Sequence, residues 1–122
     1  MILFVLPQAF TVCKVSDISG VDFSQEFVFF SRTDEELSLV CENTFVPPNT
    51  LAREDGWRAF RVQGTLDFSM VGVLAAISAL LAAQNISIFA VSTYNTDYLF
   101  TKSNVFDRAL KVLSDAGYAI WE

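Results

Sequence analysis

The chain has 122 residues, the size of one compact domain or of two very small fused ones. Apolar residues make up 52 % of it and phenylalanine occurs 12 times, which suffices for a buried core and excludes a disordered chain. A net charge of −6, with 8 lysines and arginines scattered along the chain, leaves no basic patch for nucleic acid or an anionic membrane surface.

The N-terminal stretch MILFVLPQ lacks a basic region and is too short for a signal peptide. AFTV (9–12) alternates like a strand, and SDISGVDFSQE (16–26) is rich in turn formers. FVFFSRTDEELSLV (27–40) reads as a hairpin. ENTFVPPNTLAREDG (42–56), with Pro47, Pro48 and Gly56, reads as a linker.

The second half is clearer. WRAFRVQ (57–63) alternates as a strand that Gly64 ends. Asp67 or Ser69 is placed to cap a helix over about 69–84, with Val73, Leu74, Ile77 and Leu81 as its stripe and Asn85 as its stop. ISIFAV (86–91) is apolar on both faces, the pattern of a central strand. The polar block Ser92–Asp97 turns the chain, and DYLFTK (97–102) returns as a hairpin partner. Ser103 or Asn104 caps a second helix over about 104–115, Gly117 stops it, and YAIW (118–121) forms a last strand.

The segment 68–96 carries no charge, which raises the question of a membrane span. Its apolar run stops at Gln84 and Asn85, and its charged neighbours are Asp67 and Asp97 rather than lysine or arginine. A buried helix followed by a buried strand accounts for it better.

The order β-α-β-β-α-β defines an α+β, ferredoxin-like arrangement for the second half. The first half is a worn copy of it. AFTV matches AFRV (59–62) at an offset of 50, and FVFFSRTDEELSLV matches IFAVSTYNTDYLFT (88–101) at an offset of 61. The difference corresponds to the missing first helix. The sequence therefore divides into a degenerate, mainly β half over 1–50 and a complete half over 51–122, the former unable to fold alone.

The residues GTLDFSMVGVLAAISALLAAQNISIFAVST, followed by LFTKSNVFDRALKVLSDAGY, resemble an ACT domain. They are similar in particular to small bacterial proteins of two fused ACT-like halves, related to the regulatory domains of aspartate kinase and to the arginine sensors called CASTOR. The resemblance covers residues 57–121 well and 9–41 weakly. It implies a regulatory module that binds a small ligand, usually an amino acid, at an interface between ACT units. It places ligand contacts in the loop Gly64, Thr65, Leu66, Asp67, Phe68 and Ser69, with the strand end from Ile86 through Ile88 to Ser92 facing the same region.

The chemistry of the residues agrees in kind. A free amino acid presents a carboxylate and an ammonium. A helix N-terminus suits the carboxylate. Asp67 is the first choice for the ammonium and Asp97 the second, while Ser92, Thr93, Tyr94 and Asn95 supply neutral hydrogen bonds. Plainer readings stand beside these: Asp67 as a helix cap, Gly64 as a turn residue, and the 92–97 block as a solvated turn.

The absence of histidine removes Ser-His-Asp triads, Cys-His pairs and imidazole metal sites, so an enzyme is not expected. No cofactor or metal is implied. Cys13 and Cys41 read as buried, reduced thiols of a cytoplasmic protein, with one disulfide or a reactive thiol as the other reading. A homodimer is expected, because a helix-free sheet face or edge calls for a cover. The expectation is thus a small-ligand sensor that regulates in trans. The alternative is a protein–protein interaction module with no metabolite.

Overall fold

The computed structural model describes residues 1–67 and 70–122. Their contacts form two compact units: Met1–Pro7 with Arg58–Glu122, and Gln8–Trp57. The elements in chain order are β1 (Ile2–Val15), β2 (Phe29–Arg32), β3 (Leu37–Glu42), a 3-10 turn at Asn43–Phe45, β4 (Thr50–Val62), α1 (Val73–Ala82), β5 (Phe89–Ser92), β6 (Asp97–Lys102), α2 (Ser103–Asp115) and β7 (Ala119–Trp121).

The larger unit takes the first residues of β1 and the last of β4. Its strand order is β7-β1-β4-β6-β5. β1 runs parallel to β7, with Ile2 opposite Ala119 and Phe4 opposite Trp121. It runs antiparallel to β4: the Gln63 amide donates to Ile2 O at 2.8 Å, and Arg58 Nη2 donates to Leu6 O at 3.2 Å. The succession β4-α1-β5-β6-α2-β7 is therefore present, but β1 lies between β4 and β7. The stretch MILFVLPQ is a strand of this sheet, and its apolar residues are explained by that position.

α1 and α2 cover one face. α2 is amphipathic, with Phe106, Ala109 and Leu113 fully buried at helical spacing. α1 is alanine-rich and buries Ile77 and Leu81. They pack on Leu3, Val5, Phe60, Val62 and Leu99, and each such apolar side chain stabilises the fold by about 1.5–3 kcal/mol through burial. Arg108 Nη1 donates to Gln84 O at 2.9 Å, which ties α2 to the end of α1. On the other side of the same strands Leu6, Ala59 and Phe100 are also buried.

Several sequence expectations change. The helix expected over 69–84 spans only Val73–Ala82, and its N-cap is Gly72 in a left-handed conformation (φ 83°), without a side-chain cap. Asp67 does not occupy that cap position; Ser69 and Phe68 lie outside the described residues. Lys102, not Ser103 or Asn104, occupies the N-cap position of α2. The central strand expected over 86–91 reduces to Phe89–Ser92 and ends the strand order. Ile86 and Ile88 are apolar for a different reason: both pack into the core below the helices. The expected linker also changes. Residues 50–56 are the first part of β4, and their polar composition reflects an exposed strand.

The smaller unit orders its strands β2-β3-β1. Phe10 faces Glu42 and Thr11 faces Cys41 across β1 and β3. Its core joins Cys13, Val15, Leu39 and Cys41. Thr11 Oγ1 donates to Asp55 Oδ1 at 2.6 Å, and Arg53 Nη2 donates to the same oxygen at 2.7 Å. Both cysteines are free and buried; burial raises the Cys13 thiol and pushes that of Cys41 up to about 11.

Candidate functional site

The site grows from a hairpin turn, a loop and a helix start, all in the larger unit. β5 and β6 pair with Ser92 opposite Asp97 and Phe89 opposite Phe100. The two rings stack at 4.5 Å and fix the hairpin from behind. In the turn, the Thr93 amide donates to Thr96 O at 2.8 Å and Thr93 Oγ1 donates to the same carbonyl at 3.0 Å. Such side-chain bonds are why Ser, Thr, Asn and Asp populate turns. Thr96 Oγ1 is buried and donates to Val62 O at 2.7 Å, which anchors the turn to the end of β4.

The loop after β4 closes on this turn. The Leu66 amide donates to Asn95 O at 2.7 Å, and the Met70 amide donates to Asp67 O at 2.9 Å. α1 then starts at Gly72, whose carbonyl accepts the first helical bond, from the Ala76 amide at 2.9 Å. The amides of Val73, Leu74 and Ala75 precede that bond, at the positive end of the helix.

Between these parts lies a cavity of about 270 Å³, lined by Leu66, Asp67, Met70, Gly72–Ala75 and Ser92–Asp97. Asp97 is held in place by Ser92, whose Oγ donates to its Oδ1 at 2.6 Å. Asp67 and Asp97 are the charged side chains among the described lining residues. The volume falls just below the range of ligand pockets, which runs about 300–1,000 Å³. The walls combine carboxylates, hydroxyls, a carboxamide and a helix start with the apolar Leu66, Met70, Val73 and Leu74. Such a surface can hold a small molecule with an anionic end, a cationic end and a short apolar body.

Of the residues singled out in sequence, the structure brings Leu66, Asp67, Ser92, Thr93 and Asp97 to this cavity. Gly64 and Thr65 are exposed and do not line it. Gly64 has φ 101° with nothing near its missing side chain, so it serves the backbone turn. Ile88 packs on the core instead. Met70, Val73, Leu74 and Ala75 read in sequence as helix, and the late start of α1 hides their place at the rim. Among the described residues no group of acidic residues and cysteines could hold a metal ion, and no helix is long and apolar enough to cross a membrane.

Comparison with known proteins gives the fold a setting. A protein from Agobacterium tumefaciens is similar at 30 % identity with a TM-score of 0.85, over 97 % of this chain and 90 % of that one. A Vibrio cholerae protein of unknown function, described as a possible transport protein, matches at 22 % identity and a TM-score of 0.73, over 93 % and 88 %. The aspartate kinase of Clostridium acetobutylicum, described as an allosteric enzyme, shares the fold at 16 % identity and a TM-score of 0.63; the match covers 89 % of this chain and 33 % of that enzyme. A search of curated proteins finds no match. This mixed α/β fold is thus one that also occurs in aspartate kinase. The ACT domain family model matches residues 52–115, more than half of the chain, and the chain belongs to the ACT domain family. That family is regulatory rather than catalytic, and no catalytic family is indicated.

Proposed function

We propose that the protein is a small-ligand regulatory module that senses an amino acid and acts in trans on another protein. The observation that carries this reading is the cavity of about 270 Å³ where the turn of β5–β6, the loop after β4 and the start of α1 converge. The ligand carboxylate lies against the first amides of α1, and its ammonium meets a carboxylate, Asp67 first and Asp97 second. Ser92, Thr93 and Asn95 complete the polar contacts. Binding favours the arrangement in which the loop rests on the turn, and this bias is the signal.

In this reading the chain descends from two fused ACT-like halves, 1–50 reduced and 51–122 complete, the latter ferredoxin-like with β1 inserted. A homodimer would let a second copy contribute to the ligand interface, as ACT units do in the resemblance. The allosteric description of the clostridial aspartate kinase supports a regulatory role. A cytoplasmic location accords with the free cysteines.

A second reading rests on the exposed apolar side chains beside the cavity. Met70 is 47 % exposed and Val71 92 % exposed, and both suit a protein partner. The deciding experiment is a thermal-shift screen against the twenty amino acids at millimolar concentration. A ligand at a hundred times its Kd adds about 2.7 kcal/mol and raises the midpoint by roughly 10 °C. A shift with one or a few amino acids supports the sensor. No shift with any of them leaves the interaction module.

A further inference from the structure

The helix-free face of the larger unit carries a row of aromatic side chains around one arginine. Leu3, Phe60, Leu99 and Ile120 belong to the core under the helices, so their strand neighbours Phe4, Arg61, Tyr98 and Trp121 point the other way. Pairing sets Trp121 opposite Phe4, and Tyr98 opposite Val91. Arg61 joins the two pairs. Its guanidinium lies over the Phe4 ring at 4.9 Å and over the Tyr98 ring at 6.0 Å. Trp121, Phe4, Arg61, Tyr98 and Val91 thus form one line across β7-β1-β4-β6-β5. Trp121 is 52 % exposed and the other four are half-buried.

The row is unbalanced in charge. Arg61 makes two long hydrogen bonds inside the chain, Nε to Gln63 Oε1 at 3.3 Å and Nη1 to the Tyr98 hydroxyl at 3.4 Å. The chain has 14 acidic residues, yet among the described residues no carboxylate pairs with Arg61. By contrast Arg53 pairs with Asp55, and Lys111 with Asp115. The residues two positions away from the row along the same strands carry no charge either. Stacking on the rings holds the guanidinium in place and leaves N–H groups of its fork over. A fork fixed in this way matches a carboxylate through two parallel bonds.

What covers the row follows from charge and length. A second copy laid face to face, with its two-fold axis through the row, would set Arg61 against Arg61. An acidic segment of another protein meets no such repulsion there. Strands about 4.8 Å apart give the row a span of about 19 Å, the length of about six residues of extended chain. Alternate side chains of that chain face the sheet. An acid seated on Arg61, with apolar residues two positions to either side, therefore covers Phe4 and Trp121 on one hand and Tyr98 and Val91 on the other.

From this we infer that the row docks an extended segment of a partner protein, with a carboxylate on Arg61 and apolar side chains on the residues flanking it. The inference goes beyond the cavity and does not depend on what the cavity binds. A sensor acting in trans and an interaction module both need a surface for the protein they act on.

The test uses the full chain and three peptides capped at both ends: Gly-Phe-Ser-Glu-Ser-Phe-Gly and its counterparts with Gln or Lys in place of Glu. Nitrogen-15 NMR titration reads affinity and position together. We expect the Glu peptide to bind about tenfold or more tighter than the Gln peptide and the Lys peptide to bind weakest, with amide shifts centred on residues 4, 61, 98 and 121. Added salt should narrow the difference. Arg61→Gln should bring the Glu and Gln peptides within about threefold of each other. Trp121→Ala, at a half-exposed position, should weaken both about threefold or more and leave their ratio unchanged. The comparison of the three peptides on the unaltered chain decides alone if Arg61→Gln unfolds. Equal affinity for the Glu and Gln peptides, no binding of the Glu peptide up to millimolar concentration, or shifts confined to residues outside the row would overturn the inference. Two other occupants would overturn it as well. A dimer seen by sedimentation and lost in Trp121→Ala places a second copy on the row. Tighter binding of oligothymidylate than of the Glu peptide, with shifts at the same residues, makes the row a platform for stacked bases. None of these outcomes alters the thermal-shift screen, so the two readings fail separately.

Discussion

In β2–β3, Phe29 faces Val40 and Arg32 faces Leu37; in β5–β6, Phe89 faces Phe100 and Ser92 faces Asp97. The second hairpin repeats the first sixty positions later, down to the turn. The Thr33 amide donates to Glu36 O at 3.0 Å as the Thr93 amide donates to Thr96 O at 2.8 Å, and each threonine hydroxyl also bonds within its turn. Even the burial of β3 and β6 runs in the same order. Yet Ser92–Asp97 form about half of the cavity's lining, and Arg32–Leu37 form none of it. The difference lies in the segment that leaves the preceding strand. After β4 the chain makes a loop and a helix that starts against the turn. After β1 it makes local turns, in which Asp17 accepts from Ser19 and Asp22 accepts from Ser24. A hairpin of this kind is a scaffold, and the site comes from the helix start beside it.

The largest expected effect tests whether the two hairpins support cores of different depth. Leu39 and Leu99 occupy the same position and are both fully buried. Leu99 sits in the larger cluster with both helices, and Leu39 in the smaller one with two thiols. Leu99→Ala should cost about 3–4 kcal/mol and Leu39→Ala about 2–3 kcal/mol, read by urea unfolding. Equal losses would mean that α1 and α2 add no depth to the core at that position.

A smaller effect separates the turns. Thr96→Val removes a buried hydroxyl and leaves Val62 O without that donor, at a cost of about 1–2 kcal/mol. Glu36, its counterpart, is exposed, and Glu36→Val should change stability by less than about 0.5 kcal/mol. Comparable losses would show that both turns are anchored alike.

The sequence made the repeat visible but misjudged its register by one. The offset of 61 aligned Ser31 with Ser92, two similar residues on opposite sides of the true pairing. The structure aligns Ser31 with Val91 and Arg32 with Ser92. In a strand one step exchanges the faces, so similarity of residue type misled where alternation and turn chemistry would have decided. DYLFTK and the second helix were legible because period and stop signals agreed. The strand at 50–56 was not: exposed on most of its length, it carries the composition of a loop and owes its shape to its neighbours. The late start of α1 was also hidden, since Met70 and Val71 are apolar and exposed where apolar residues suggest a helix face. The site was half legible for the same reason. Its turn and acids announce themselves by residue type, while its helix wall depends on where α1 begins.

At neutral pH the smallest effect comes from the position that Cys41 shares with Thr101, both buried in their hairpins. Thr101 Oγ1 donates to Lys102 O at 3.2 Å and does not titrate in this range, whereas the Cys41 thiol is raised from its ordinary 9.0 to about 11, first by burial and then by Cys13. A thiol raised in the folded state stays neutral there after the unfolded chain has ionised. The native state therefore keeps its full stability below pH 9 and loses part of it as the pH rises from about 9 to about 11. Cys41→Thr should flatten that part of the stability curve and change little at pH 7. The unfolding midpoint of both forms, measured from pH 7 to 10.5, checks this. Parallel curves would mean that the thiol ionises as readily in the native state as in the unfolded one, so that the core of the smaller unit is open to water at Cys41.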